Sequence, residues 1–221
     1  MKRHVLTLCL LCTSMTMAGV LGTSSASAVE FHSDSSSGNT WTTNTTTTGT
    51  SHKFDAAGTA ITCTTASFKG TASGKTVSAV KVTPTYGNCT FFGVPVTVNM
   101  GNCEFEFNAN GTVAIIDQAG VNCGTEGKTI NYKASFLGVW CEVIIGEQTG
   151  LTTITYAGST TPNGTIVVTP TVTGIAYQAV GMGCSKGGPL NDGNYTAGTT
   201  TMTGYVDEGG VEKGSTPIWA A

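Results

Sequence analysis

The chain has 221 residues, with 10 Lys and Arg against 13 Asp and Glu, three histidines and a formal charge of −3. Lys and Arg form no cluster that would neutralise phosphates, which argues against nucleic acid or an anionic membrane as a partner. Only 10% of the residues are charged, against about 25% in an average soluble protein; Thr, Ser, Asn and Gly supply the polar surface, as suits an exported β-protein better than a cytosolic enzyme.

At the N-terminus, Lys2, Arg3 and His4 precede an apolar run from Val5 to about Leu21 that Thr13, Ser14, Thr16 and Gly19 interrupt. A spanning helix needs roughly 20 predominantly apolar residues, so this run reads as the core of an export signal. Ala26-Ser27-Ala28 has the small-x-small pattern of a cleavage site, which sets residues 1–28 as signal peptide. Cys9 and Cys12 leave with it, and Leu8-Cys9-Leu10-Leu11 is a poor match to a lipidation box. Loss of Lys2 and Arg3 deepens the charge to about −5. No transmembrane anchor is expected in the mature chain.

Residues 29–55 form a Ser/Thr-rich segment, read either as a flexible leader or as an edge strand anchored by Trp41. From residue 56 to 221 the pattern is period two, punctuated by Gly and Asn, with no amphipathic helix. Strands are predicted at 60–68, 77–85 and 91–100. Next comes the clearest hairpin: Cys103, Phe105 and Phe107 share one face, Glu104 and Glu106 the other, and Asn110-Gly111 turns the chain into 112–116. Further strands are predicted at 129–134, 139–145, 152–156, 165–177, 195–206 and 211–219. Turns are expected at Gly74-Lys75, Gly87-Asn88, Asn163-Gly164, Asn191-Asp192-Gly193 and Glu208-Gly209-Gly210. Pro95 and Pro170 interrupt strand runs and belong at edges or bulges. About ten short antiparallel strands in one domain imply an all-β fold, a two-sheet β-sandwich, with a β-barrel as the alternative.

Six cysteines follow the signal: Cys63, Cys89, Cys103, Cys123, Cys141 and Cys184. Their spacing is too long for a zinc site, and an exported chain favours disulfides. Six cysteines allow 15 connectivities; strand adjacency suggests Cys63 with Cys89 and Cys123 with Cys141, leaving Cys103 for Cys184.

No catalytic residue, metal ligand or cofactor site is assigned. The mature histidines, His32 and His52, both fall in the Ser/Thr-rich segment, which argues against a histidine-based hydrolase. Glu104, Glu106, Glu142, Glu147, Asp207 and Glu208 remain for a carboxylate-dependent glycoside hydrolase, although alternation with core Phe makes Glu104 and Glu106 a solvated strand face. Asp192 has too few neighbouring carboxylates for a calcium loop and reads as an Asx turn. Trp140, on the strand face away from Cys141, is a possible sugar-stacking ring that Tyr132 would widen; burial of Trp140 is the competing reading. The Thr-x-Thr stretches have no fixed repeat that would make an ice-binding array.

The segments Ile61–Phe68, Val82–Tyr86 with Cys89, Val96–Val98 with Asn102-Cys103, Gln148–Leu151 and Val172–Ile175 resemble a group of uncharacterised secreted proteins of actinobacteria. That resemblance covers most of the mature chain and implies export and a bacterial source, which would make the Asn-x-Ser/Thr sites at Asn44, Asn88, Asn110, Asn163 and Asn194 incidental. The expectation is a secreted, non-enzymatic extracellular or cell-envelope protein whose partner is cell-wall polysaccharide or another envelope protein. A carbohydrate-binding module and a glycoside hydrolase are the alternatives. The terminal Pro217–Ala221 carries no sorting motif, so release or non-covalent retention is expected.

Overall fold

The computed structural model describes residues 30–34, 40–118, 122–124, 128–158, 164–207 and 211–221; for 40–50 and for residues 158, 207, 212 and 213 it describes the backbone alone. The predicted signal peptide and its cleavage site lie outside these residues, as do Asn163 and Glu208. Every regular element among the described residues is a strand. In chain order they are β1 (Phe31–Ser33), β2 (Thr40–Ala56), β3 (Thr59–Ser73), β4 (Thr76–Val77), β5 (Ala79–Phe91) and β6 (Val94–Val96). Then come β7 (Val98–Asn99), β8 (Cys103–Asn108), β9 (Thr112–Asp117), β10 (Ile130–Phe136), β11 (Val139–Ile145) and β12 (Gln148–Gly158). The last are β13 (Thr165–Val180), β14 (Gly188–Ala197), β15 (Thr200–Asp207), β16 (Glu212–Thr216) and β17 (Ile218–Ala220).

Antiparallel pairing runs β2-β3-β5-β8-β9-β12-β13, and β13 returns to β2 through both β14 and β15. The main sheet therefore closes into an eight-stranded barrel, the alternative expected from sequence, and the sandwich of two separate sheets gives way to it. Closure is forked. Ile166–Val168 of β13 pair with β15, and from Thr171 onward the same edge pairs with β14. Pro170, which has no N–H to donate, sits where the partner changes. On the far side of the fork, β2 pairs with β15 through Trp41–Asn44 and with β14 through His52–Asp55.

The Ser/Thr-rich segment is thus a strand from residue 40 onward, paired on both sides over residues 41–44 and 52–55. Threonine's β-branched stiffness suits such a strand even though the sequence lacks an obvious apolar alternation. Pro95 lies on β6, which pairs only with β5, and so occupies an edge as expected. The turn expected at Asn191–Gly193 falls inside β14 as an irregular stretch opposite Ile175 and Tyr177, and the chain breaks instead at residues 198–199. The strand expected over 91–100 is divided by a tight turn at Phe92-Gly93.

Alternation along each strand sends one set of side chains inward. Phe54, Phe68, Tyr86, Phe105 and Tyr195 meet there with Val82, Val113, Ile154, Val168 and Ile175 in one core. Aromatic edges face rings, as between Phe54 and Tyr86, with centroids 5.2 Å apart at 83°. A second, three-stranded sheet, β17-β1-β4, closes the end where β3 finishes and β5 begins. It carries Phe31 and Ile218, both fully buried. Phe31 stands edge-on to Tyr156 at 5.0 Å, and Gly204 is the residue that admits Ile218, since a methyl group there would come within 2.4 Å of its Cγ2.

Disulfides join Cys63 to Cys89, Cys103 to Cys123 and Cys141 to Cys184. The first matches the strand-adjacency expectation, because these residues are direct partners on β3 and β5. The other two expected pairs are corrected. Cys123 lies in the connection before β10, where its amide donates to the Asp117 carboxylate beside Cys103. Cys184 lies in the loop that packs on β11, where the Gly183 amide donates to the Trp140 carbonyl at 2.8 Å.

Candidate functional site: the apolar end of the barrel

Opposite the small sheet, the chain places apolar residues at the tips of turns. Phe91 pairs with Val94 and Phe136 with Val139, so two residues make each hairpin loop. Both central residues have positive φ: 47° and 80° at Phe92-Gly93, 51° and 82° at Leu137-Gly138. Such turns favour Asn-Gly, because an L-residue with a bulky side chain is disfavoured in the left-handed region by roughly 1–2 kcal/mol. Yet Phe92 is 81% exposed and Leu137 88%. Each tip therefore combines a disfavoured backbone conformation with an exposed apolar side chain.

A third element joins them. Met182, 85% exposed, sits in the loop after β13 between Gly181 and Gly183. Phe91, Phe92, Phe136, Leu137, Val139 and Gly183 line a groove of ≈ 280 Å³ between these elements. No charged residue occurs in 91–96, 134–141 or 179–184. The Cys141–Cys184 disulfide locks the β10–β11 hairpin to the Met182 loop, and Cys63–Cys89 ties β5 to β3 just behind the Phe92 turn.

The same end is braced from within the loop. Ser185 donates through N and Oγ to the Ala57 carbonyl, at 3.0 and 2.6 Å. The Ala57 amide donates to Tyr177 Oη at 2.7 Å, and that hydroxyl donates to Asp192 Oδ1 at 2.6 Å. Lys186 Nζ donates to the other oxygen at 2.6 Å. The Lys186 and Tyr177 hydrogen bonds hold the Asp192 carboxyl below its usual value, while burial and the Asp192 contact push the Tyr177 phenol up to about 12. Asp192, expected in an Asx turn, instead lies within β14 and accepts from Tyr177 and Lys186 in this network.

Trp140 and Tyr132 do not form one platform. In the β10–β11 register Trp140 lies opposite Ser135 and Tyr132 opposite Val143, so alternation puts them on opposite faces of the hairpin. Tyr132 is 1% exposed, and burial raises its phenol pKa. Trp140 is half-buried; Lys133 Nζ lies 4.1 Å from its ring centroid, and a methyl group on Gly181 would meet its Cε3 at 2.7 Å. Lys133 therefore occupies a ring face that a stacked sugar would need.

Glu104 and Glu106 stand two residues apart on β8, and Glu104 accepts from Thr83 Oγ1 at 2.7 Å. They share a strand face instead of facing one another across a cleft. Glu142 lies across from Lys133 and Glu147 is exposed; Asp207 is described in its backbone alone.

His52 is the residue that sequence reasoning misplaced. It is fully buried inside the barrel, shares a 2.8 Å hydrogen bond with Tyr195 Oη, and has Phe68 and Tyr86 beside its ring. Burial lowers its pKa and raises those of Tyr86 and Tyr195, so all three are neutral at pH 7. Two adjoining interior cavities of ≈ 30 Å³ each border this cluster. They have room for about a water molecule or two, far short of the roughly 300–1,000 Å³ of ligand pockets. Among the described residues no cluster of His, Cys, Asp and Glu has metal-holding geometry.

No protein-family model matches the chain, and neither curated proteins nor solved structures provide a match. Nothing in those comparisons bears on the actinobacterial resemblance.

Proposed function

We propose that this is a secreted extracellular or cell-envelope protein that works by surface interaction and not by catalysis, with the apolar end as its contact surface. The observation that carries this reading is the pairing of exposed Phe92 and Leu137 with turn backbones that favour Asn. A fold selected for stability alone would avoid both the strain and the exposure. Three disulfides suit an oxidising compartment, and the small interior cavities favour a surface role over a barrel-interior ligand site.

Expression of the full chain in a secreting bacterium tests the proposal. The protein should be exported with its N-terminus at Val29, be retained in part on the cell envelope, and shift to the medium when Phe92→Asn and Leu137→Asn are combined. Equal partition of the wild type and the double variant, with both folded, would remove the apolar end from the function.

A further inference from the structure

We propose that the apolar end inserts into the surface of a lipid layer, through neutral lipid and without dependence on anionic headgroups. This deepens the reading of that end as a contact surface and rests on it. The layout of the residues carries the choice of partner. Phe92, Leu137 and Met182 belong to three separate turns and are each more than four-fifths exposed, so apolar tips stand on either side of the groove where a fluid layer can both receive them and fill it.

Behind the tips, the side chains change in the order a bilayer boundary requires. Trp140 pairs with Ser135, two residues behind Phe136-Leu137, and Lys133 stands two residues further back on the same outer face. At about 3.3 Å per residue these levels lie roughly 7 and 13 Å behind the Leu137 tip. Apolar surfaces of interfacial proteins sink about 5–10 Å into the headgroup boundary. Trp prefers that boundary and Lys reaches outward from it toward phosphate. Lys133 makes no ion pair among the described residues, and its ammonium rests on the Trp140 ring. One lysine cannot outweigh a chain of net charge −3, so apolar burial drives the binding and anionic lipid adds nothing to it. Because the Cys141–Cys184 disulfide fixes the Leu137 hairpin to the Met182 loop and Cys63–Cys89 anchors the base of the Phe92 turn to β3, little conformational freedom is lost on insertion.

Flotation of the disulfide-intact secreted protein with phosphatidylcholine vesicles, at 0.1 and 1 M salt, tests this. The wild type should float equally at both, because screening weakens charge attraction and not apolar burial. Phe92→Asn with Leu137→Asn should reduce bound protein at least tenfold while leaving the fold intact, since Asn suits both turns. Failure of the wild type to float, equal flotation of the double variant, or binding that requires anionic lipid and vanishes in salt would overturn the proposal. A concentration-dependent dimer that the same substitutions dissociate, without flotation, would also overturn it. That result would keep the apolar end as an interaction surface but make a second copy of the chain its partner.

Discussion

At the end of the barrel near the small sheet, the turn before β9 is made of the residues its backbone prefers: Asn110 Oδ1 accepts from Thr112 N and Oγ1 at 3.0 and 2.8 Å, and Gly111 takes φ 86°. At the other end, Phe92 and Leu137 occupy positions where Asn would relieve strain. The first end buries its apolar residues, Phe31 and Ile218, beneath the sheet formed by β1, β4 and β17. The second leaves them in solvent and spends two disulfides holding them in place. The Ala57-Gly58 turn, with φ of 53° and 69°, places a small buried residue where Phe92 and Leu137 carry large exposed ones, so this turn geometry does not itself call for an apolar tip in solvent.

Removing the cap should have the largest effect. Phe31→Ala should cost about 3–5 kcal/mol, read by denaturant unfolding, while leaving vesicle flotation of the folded fraction unchanged; a loss of flotation in that fraction would break the separation between the ends. Cys141→Ala with Cys184→Ala should cost about 2–4 kcal/mol. Hydrogen exchange should rise in residues 136–139 and 181–184 and stay constant in residues 31–33 and 218–220.

A pH scan probes the barrel between the ends. The folded pKa of His52 is depressed below its unfolded value near 6.5. The stability contributed by neutral His52 is fully present above about pH 6.5 and is lost as pH falls toward its folded pKa, with a slope of up to about 1.4 kcal/mol per pH unit. His52→Gln should flatten the stability curve in that window. An unchanged curve would mean that other groups control it.

The smallest effects concern the turns and should have opposite signs. Asn110→Leu should destabilise by about 1 kcal/mol through loss of the Asx hydrogen bonds. Leu137→Asn should raise stability by under about 1 kcal/mol, because Asn tolerates the left-handed region. Melting temperatures check both; if Leu137→Asn lowers the value, Leu137 is packed in a way its exposure does not reveal.

Much of this fold was legible in period-two alternation. The strand Val139–Ile145 and the Asn110-Gly111 hairpin appear as expected from sequence. The Cys63–Cys89 bond followed from neighbouring strands, whereas Cys123 and Cys184 lie in connections, which strand adjacency does not address. Barrel closure was harder to read, since it depends on β2, whose threonines hide an inward face. His52 was discounted with that segment. The apolar end is hard to read from sequence because the usual turn signals are Asn, Asp and Gly pairs, and Phe92-Gly93 and Leu137-Gly138 are not among them. The signal for it lies in three charge-free apolar stretches, each with Gly just after a bulky residue. Once Leu137-Gly138 is taken as a two-residue turn, parity alone places Tyr132 and Trp140 on opposite faces.

The forked seam also governs the order in which the chain can fold. Barrel closure joins residues 41–44 and 52–55 to residues 203–206 and 194–197, so β2 must wait for strands that leave the ribosome long after it. Contacts so distant in sequence form late, because the loop between them loses its entropy before the contact returns any stability. Until then one edge of β2 is unpaired, and an unpaired edge invites the wrong chain. The run Thr45-Thr46-Thr47-Thr48 fits this interval: it forms a strand readily yet offers a waiting edge none of the apolar surface that drives chains together. Pulse-labelling during refolding should therefore protect the β2–β3 amides before those of β14 and β15, and closure of the seam should be the final step.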